Sequence, residues 1–384
     1  MAKVRRTRES GGHAAESGTH IAGYKPMHLK KTLAWMIGVY LLPSPGWAQT
    51  KQALIGDSAV FTVRPRAAFD STYYESFYKE VTARVFISRK YTRLLISEPS
   101  GILKYRPNTP PNIGIGATYR FLTINLSAGL GFFAPPGDKG KTHNLDLQTH
   151  FYWRTLSVDL FGQFYRGLYI PNGSFDGQQQ DYSRPDVKVT YVGAAAYYVT
   201  NFRHFSNRAF MIQNDWQQRS AGSLLVGWGV YYGAIRADSA LAPSQIHGDS
   251  TGRDIHGTHF FQMGPGIGYA YTLVWKRHYF LTGQATLAGD LGYTREYGNG
   301  DFNHFGFTPI VNYRVGAGYN GSVWAINAGW VNNQSSVSAA GSTQAYRVKT
   351  GIYQLTVNKR FGLNARTRRK LNAIPQKVKD AITP

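Results

Sequence analysis

The sequence predicts an all-β fold, a closed antiparallel transmembrane β-barrel of about twelve strands that follows an N-terminal signal peptide. Three observations carry that prediction: long segments alternate apolar and polar side chains with period two, the strand tips are rich in aromatic residues, and tight turns alternate with long polar loops. Composition agrees. The 384 residues include 42 Gly, 26 Tyr, 21 Phe and 8 Trp but only 17% charged residues, a poor recipe for a helical enzyme core. A single continuous apolar run leaves no bundle of membrane helices, each of which needs about 20 apolar residues. The absence of Cys removes disulfide frameworks, thiolate zinc sites and cysteine nucleophiles together.

The apolar run is Leu33 to Leu42, preceded by His28, Lys30 and Lys31 and followed by Pro43 to Ala48. A basic region, about ten apolar residues and small residues at Gly46 and Ala48 form a secretory signal, with cleavage expected after Ala48. Met27 then starts the signal peptide (27–48), residues 1–26 are an upstream extension, and 49–80 form a periplasmic N-terminal segment. Residues 1–31 contribute +5 to the net charge of +22, so most of the basic excess belongs to the mature chain. The tail 362–384 is also basic. In an exported protein its expected partners are anionic lipid or wall polymer, and nucleic acid is not expected.

Within 81–361 the strands follow in order. Leu122, Ile124 and Leu126 oppose Thr123, Asn125 and Ser127; Leu145 and Leu147 oppose Asp146, Gln148 and His150; Leu156, Val158 and Leu160 oppose Ser157 and Asp159. Val187, Val189 and Tyr191 are read as an outer face against Asp186, Lys188 and Thr190, and Tyr279, Leu281 and Leu287 against Thr282, Gln284 and Asp290. The predicted strands are 81–97, 111–120, 121–132, 144–153, 155–166, 186–200, 221–236, 258–274, 277–290, 305–319, 322–333 and 345–361. Both chain ends then fall on the side of the short turns, as outer-membrane barrels require. A further candidate strand, 207–218, would reverse every later strand, so 201–220 is read as a periplasmic or lumen-entering insertion. The alternative, in which 207–218 is a strand, gives a barrel of fourteen.

With the strands placed, Ser88-Arg-Lys-Tyr-Thr-Arg93, the stretch from Leu103 to Tyr119, Asp159-Leu-Phe-Gly-Gln-Phe-Tyr-Arg-Gly167, Arg219-Ser-Ala-Gly-Ser223 and Gly264-Pro-Gly-Ile-Gly-Tyr-Ala-Tyr271 resemble a family of outer-membrane barrels known only as domain of unknown function 4421, over about 75–361. The resemblance implies an outer-membrane barrel of Bacteroidetes type in a Gram-negative envelope, and it brings no activity, cofactor or catalytic residue with it. The extension before Met27 and the tail beyond Phe361 depart from the family's pattern. The last strand ends on the aromatic Phe361, as barrel-assembly signals do, which makes the assembly machinery and outer-membrane lipids expected partners.

Few residues suggest chemistry. With Trp153 and Arg154 as a two-residue turn, His150 faces Ser157 across a hairpin with Asp159 beyond, the residue types of an activated nucleophile. Polar inward positions are needed in any case to line or plug a lumen, which explains these residues without catalysis. His247, Asp249, Asp254, His256 and His259 gather around one outer loop as potential metal ligands, but in no spacing that a known metal site uses. Inward Arg84, Lys90, Lys188, Arg314 and Arg360 outnumber the inward acids and either select anions in a pore or pair within a plug. Tyr152, Phe161, Tyr165 and Tyr198, read as inward, narrow it. The expected function is a narrow or plugged pore, for transport or envelope structure. A lipid-modifying hydrolase and a surface-binding or anchoring protein are the alternatives.

Overall fold

Period-two alternation becomes strands wherever both faces find a partner, and the described residues form fifteen of them. The computed structural model describes residues 69–98, 101–119, 122–130, 139–174, 178–242, 254–340 and 345–364. The elements are β1 (Tyr74–Ser76), β2 (Val81–Glu98), β3 (Gly101–Tyr105), β4 (Asn112–Tyr119), β5 (Leu122–Gly129), β6 (His143–Tyr152), β7 (Leu156–Ile170), β8 (Tyr182–Val199), α1 (Asn207–Met211), β9 (Asp215–Gln217), β10 (Ala221–Arg236), β11 (Ile255–Trp275), β12 (Tyr279–Gly298), β13 (Asp301–Asn320), β14 (Trp324–Val337) and β15 (Ala345–Phe361).

Twelve strands form one antiparallel sheet in the order β5-β4-β2-β15-β14-β13-β12-β11-β10-β8-β7-β6, and β3 pairs only with β2. The first and last barrel strands meet over their full length, from Val81 opposite Phe361 to Ser97 opposite Ala345. The cylinder is nearly closed: among the described residues, β5 and β6 lie side by side without a ladder between them. The predicted twelve strands are therefore present and the fourteen-strand alternative is not. Residues 207–218 hold the five-residue helix α1 and the short strand β9, which pairs with β1 outside the barrel sheet.

The exterior is apolar because every second side chain points out of the sheet. Val85, Ile115, Leu126, Leu147, Ile267, Leu281 and Leu291 are all exposed there. Outward aromatics gather toward the two ends: Trp153, Tyr198, Trp275, Tyr279, Trp324 and Phe361 near the tight turns, and Phe164, Tyr232, Phe261, Phe305 and Phe307 toward the loops. The inner face is polar through the middle, with Thr82, Ser88, Gln163, Thr286 and Arg314 buried.

At the loop end the inner face changes character. Leu94, Ile96, Leu103, Tyr105, Ile170, Ile235 and Tyr346 are buried there in a single apolar cluster. Val187, Val189 and Tyr191 belong to this cluster, so they turn inward, and Lys188 is exposed on the outer wall. The reading of β8 is thus out of phase by one residue, since apolar side chains mark the lipid face only where the lumen is wet. Tyr198 is corrected with it: it faces out, and Tyr197 faces in.

Candidate functional site

Segment 200–220 joins the turn ends of β8 and β10 and folds back into the lumen. Its shape is set locally: Ser206 Oγ donates to Asp215 Oδ2 (2.6 Å), Ser76 Oγ to Asp215 Oδ1 (2.7 Å), and Gln217 Nε2 to the His204 carbonyl (2.6 Å). Nearby, Thr72 donates through its hydroxyl and its amide to Asp70 and holds that carboxyl below its ordinary value. Burial pushes the Tyr74 phenol up.

The wall grips this insertion from several strands. On β15, Arg360 donates to the Gln213 carbonyl (2.6 Å), to Asn320 Oδ1 (2.7 Å) and to the Gly321 carbonyl, with its guanidinium 4.1 Å from the Phe77 ring centroid. Asn358 reaches Gln213 Oε1 (3.2 Å). On β2, Arg84 donates to the Ile212 carbonyl (3.1 Å) and to Thr118 Oγ1. On β13, Asn320 donates to the Asp215 carbonyl (3.1 Å), and on β7 Ser157 Oγ accepts from Asn207 (3.2 Å). The Phe210 ring occupies the place where a Cβ on Gly316 would sit, so the wall needs glycine at that point.

Above the insertion lies a polar cavity of about 360 Å³. Its charges are largely paired: Lys90 with Asp146 (3.2 Å), and Asp159 with Arg314, with His150 Nδ1 (2.7 Å) and with the Tyr152 hydroxyl (3.0 Å). Outward Leu147 and Thr149 border this cavity together with inward Asp146, Gln148 and His150, so it reaches the exterior between β5 and β6.

Of the five predicted lumen cations, Arg84, Lys90, Arg314 and Arg360 lie inside, and Lys188 does not. The nucleophile geometry is also corrected. Trp153 accepts no place in the loop: its amide donates to the Leu156 carbonyl (2.9 Å), so the turn is Arg154-Thr155 and His150 pairs directly with Asp159, while Ser157 pairs with Tyr152 and serves the insertion. His247 and Asp249, like Ala48, where cleavage is expected, and the tail beyond Asn364, lie outside the described residues. Among the described residues no three His, Asp or Glu side chains converge as metal ligands. His259 instead sits on the outer wall between the Tyr232 hydroxyl (2.9 Å) and Arg236 (3.2 Å). Sequence reasoning missed Gln213, Asn358 and the Phe210–Gly316 contact; an inward glycine beside Arg314 was the only signal for the last.

A model of the family described as "Domain of unknown function (DUF4421)" matches residues 68–361. No curated protein matches the sequence. Solved structures similar to the chain include OmpT, an outer membrane protein of Vibrio cholerae, at 9% identity over 73% of this chain and 98% of that one with a TM-score of 0.26. Two others are the toluene transporter TodX of P. putida (8% identity, 74% and 91% covered, TM-score 0.23) and an outer membrane channel from Pseudomonas putida F1 (8%, 73% and 95%, TM-score 0.22).

Proposed function

The chain belongs to the DUF4421 family, and from that membership and the filled interior we propose that it is an outer-membrane β-barrel protein of a Gram-negative envelope, plugged by its own insertion and serving transport or envelope structure. The outward leucines and isoleucines between two aromatic rows support the membrane location, because lipid demands an apolar wall and water-level aromatics. The observation that carries the plugged reading is the set of bonds from Arg84, Arg360, Asn320 and Asn358 to residues 212–215. A loosely held loop would not bury two guanidinium groups to 6% and 4% exposure.

Planar-bilayer recording of the purified protein tests it. The intact protein gives no steady conductance, and Arg84→Met/Arg360→Met gives intermittent openings. A steady open channel from the intact protein overturns the reading. Membrane fractionation tests the location separately, and recovery in the inner membrane or the soluble fraction rejects it.

The open seam between β5 and β6 favours a second reading, in which an amphiphile passes sideways between cavity and bilayer. Unpaired backbone at an edge facing lipid costs several kcal/mol per group, so whatever occupies the seam gains from filling it.

A further inference from the structure

From the outer wall we infer that Arg166, Lys188 and Arg236, set side by side at the loop end of the barrel, bind the phosphate of an anionic lipid head group in the outer leaflet. The inference rests on the membrane reading above and deepens it. Lys188 is the direct cross-strand partner of Arg166 on one side and of Arg236 on the other. All three are exposed and share the outward face. Adjacent strands lie about 4.8 Å apart, so three cations fall within a span of about 10 Å, the reach of a single phosphate and its oxygens.

Like charges facing each other across a ladder destabilise it. Here no carboxylate is ion-paired with the row among the described residues: Asp186 is held by Arg184 (2.8 Å) and by the Asp238 amide (3.2 Å), and Asp301 by Arg295 (2.5 Å). The row is also built. His259 Nε2 accepts from Arg236 and its Nδ1–H is directed at the Tyr232 oxygen, which fixes the guanidinium on the wall. Outward Phe164 and Tyr232, one step toward the membrane centre on β7 and two on β10, mark the level at which acyl chains give way to head groups. A phosphate anchored on the row would lay its acyl chains down the apolar wall beneath.

Native mass spectrometry of the full protein in neutral detergent, titrated with phosphatidic acid or with diacylglycerol of the same chains, tests the inference. Each cation near a charged head group contributes roughly a fivefold factor, so Arg166→Gln/Lys188→Gln/Arg236→Gln weakens the tightest phosphatidic acid about 100-fold. The single change Lys188→Glu weakens it as well, and Lys359→Gln, on the wall near the tight turns, leaves it unchanged. Retained barrel mobility on unheated gels shows that each variant is folded. Equal retention of diacylglycerol, or phosphatidic acid binding untouched by the triple change, overturns the inference. Displacement by millimolar inorganic phosphate also overturns it, in favour of a free-phosphate site. None of these outcomes depends on conductance or on cell fractionation, so the site and the membrane reading can fail separately.

Discussion

Replacing Arg360 by Met removes the charged tie from β15 to the insertion, leaving that of Asn358, and measures how firmly the segment is held. The change keeps an unbranched apolar stem but deletes donors to the Gln213 carbonyl, Asn320 Oδ1 and the Gly321 carbonyl, and removes the contact with Phe77. A hydrogen bond from a charged donor contributes about 1.5–3 kcal/mol, and a desolvated cation over an aromatic ring about 1–2 kcal/mol. Sparing the guanidinium its burial returns part of that sum. A net loss of about 3 kcal/mol remains, equal to a shift of roughly 150-fold between bound and released insertion. Hydrogen exchange reads this directly. The Ala209 and Ile212 amides, bonded within the insertion, exchange about 100-fold faster in the variant, while the β12–β13 ladder keeps its protection. Arg360→Lys recovers part of the protection, because an ammonium supplies charge but not the planar fork. If exchange over 206–217 changes less than threefold, the insertion is held by something other than Arg360 and the reasoning fails.

Other outcomes follow from the same geometry. Asp159→Ala strands Arg314 in the lumen and lowers barrel stability by about 3–5 kcal/mol, whereas Asp159→Ala/Arg314→Met recovers most of it; urea unfolding of the four proteins gives the coupling, and independent effects would refute the pair. Gly316→Val drives out Phe210 and speeds proteolysis of the insertion while leaving the barrel band on gels; an unaltered cleavage pattern would show that the ring has another seat. His150→Ala leaves the lipid profile of expressing cells unchanged, because among the described residues this imidazole bonds the Asp159 carboxylate and no serine or threonine hydroxyl; a lost lipid product would restore the hydrolase reading. In a chain free of Cys, Asn125→Cys with Gln148→Cys places the only thiols across the seam; bridging them blocks entry of a fluorescent fatty acid into the cavity, and unchanged uptake rejects sideways passage.

Much of the architecture was legible because lipid imposes a simple rule on the wall. The limits of β10 and β15 are those read from alternation alone, and turn parity excluded 207–218 from the sheet. The errors have physical causes. β8 was read one residue out of phase because the mouth of the barrel is packed with apolar side chains, which reverses the rule at Val187 and Val189. The hairpin at Trp153 was misread by one residue, since neither Arg154 nor Thr155 is a residue that turns demand. Lumen cations could be named from the pattern, but their partners could not: Arg360 meets Gln213 across 147 positions of sequence, and only the folded chain brings them together.

The insertion leaves the chain between β8 and β10 yet is fastened by Arg84 on β2 and Arg360 on β15, the strands whose pairing joins the beginning of the cylinder to its end. The final strand carries one of the ties to the insertion, so a polypeptide truncated before Arg360 would lack both the residues that close the ladder onto β2 and the bond to Gln213. Closure of the ladder and fastening of the insertion thus meet on one pair of strands.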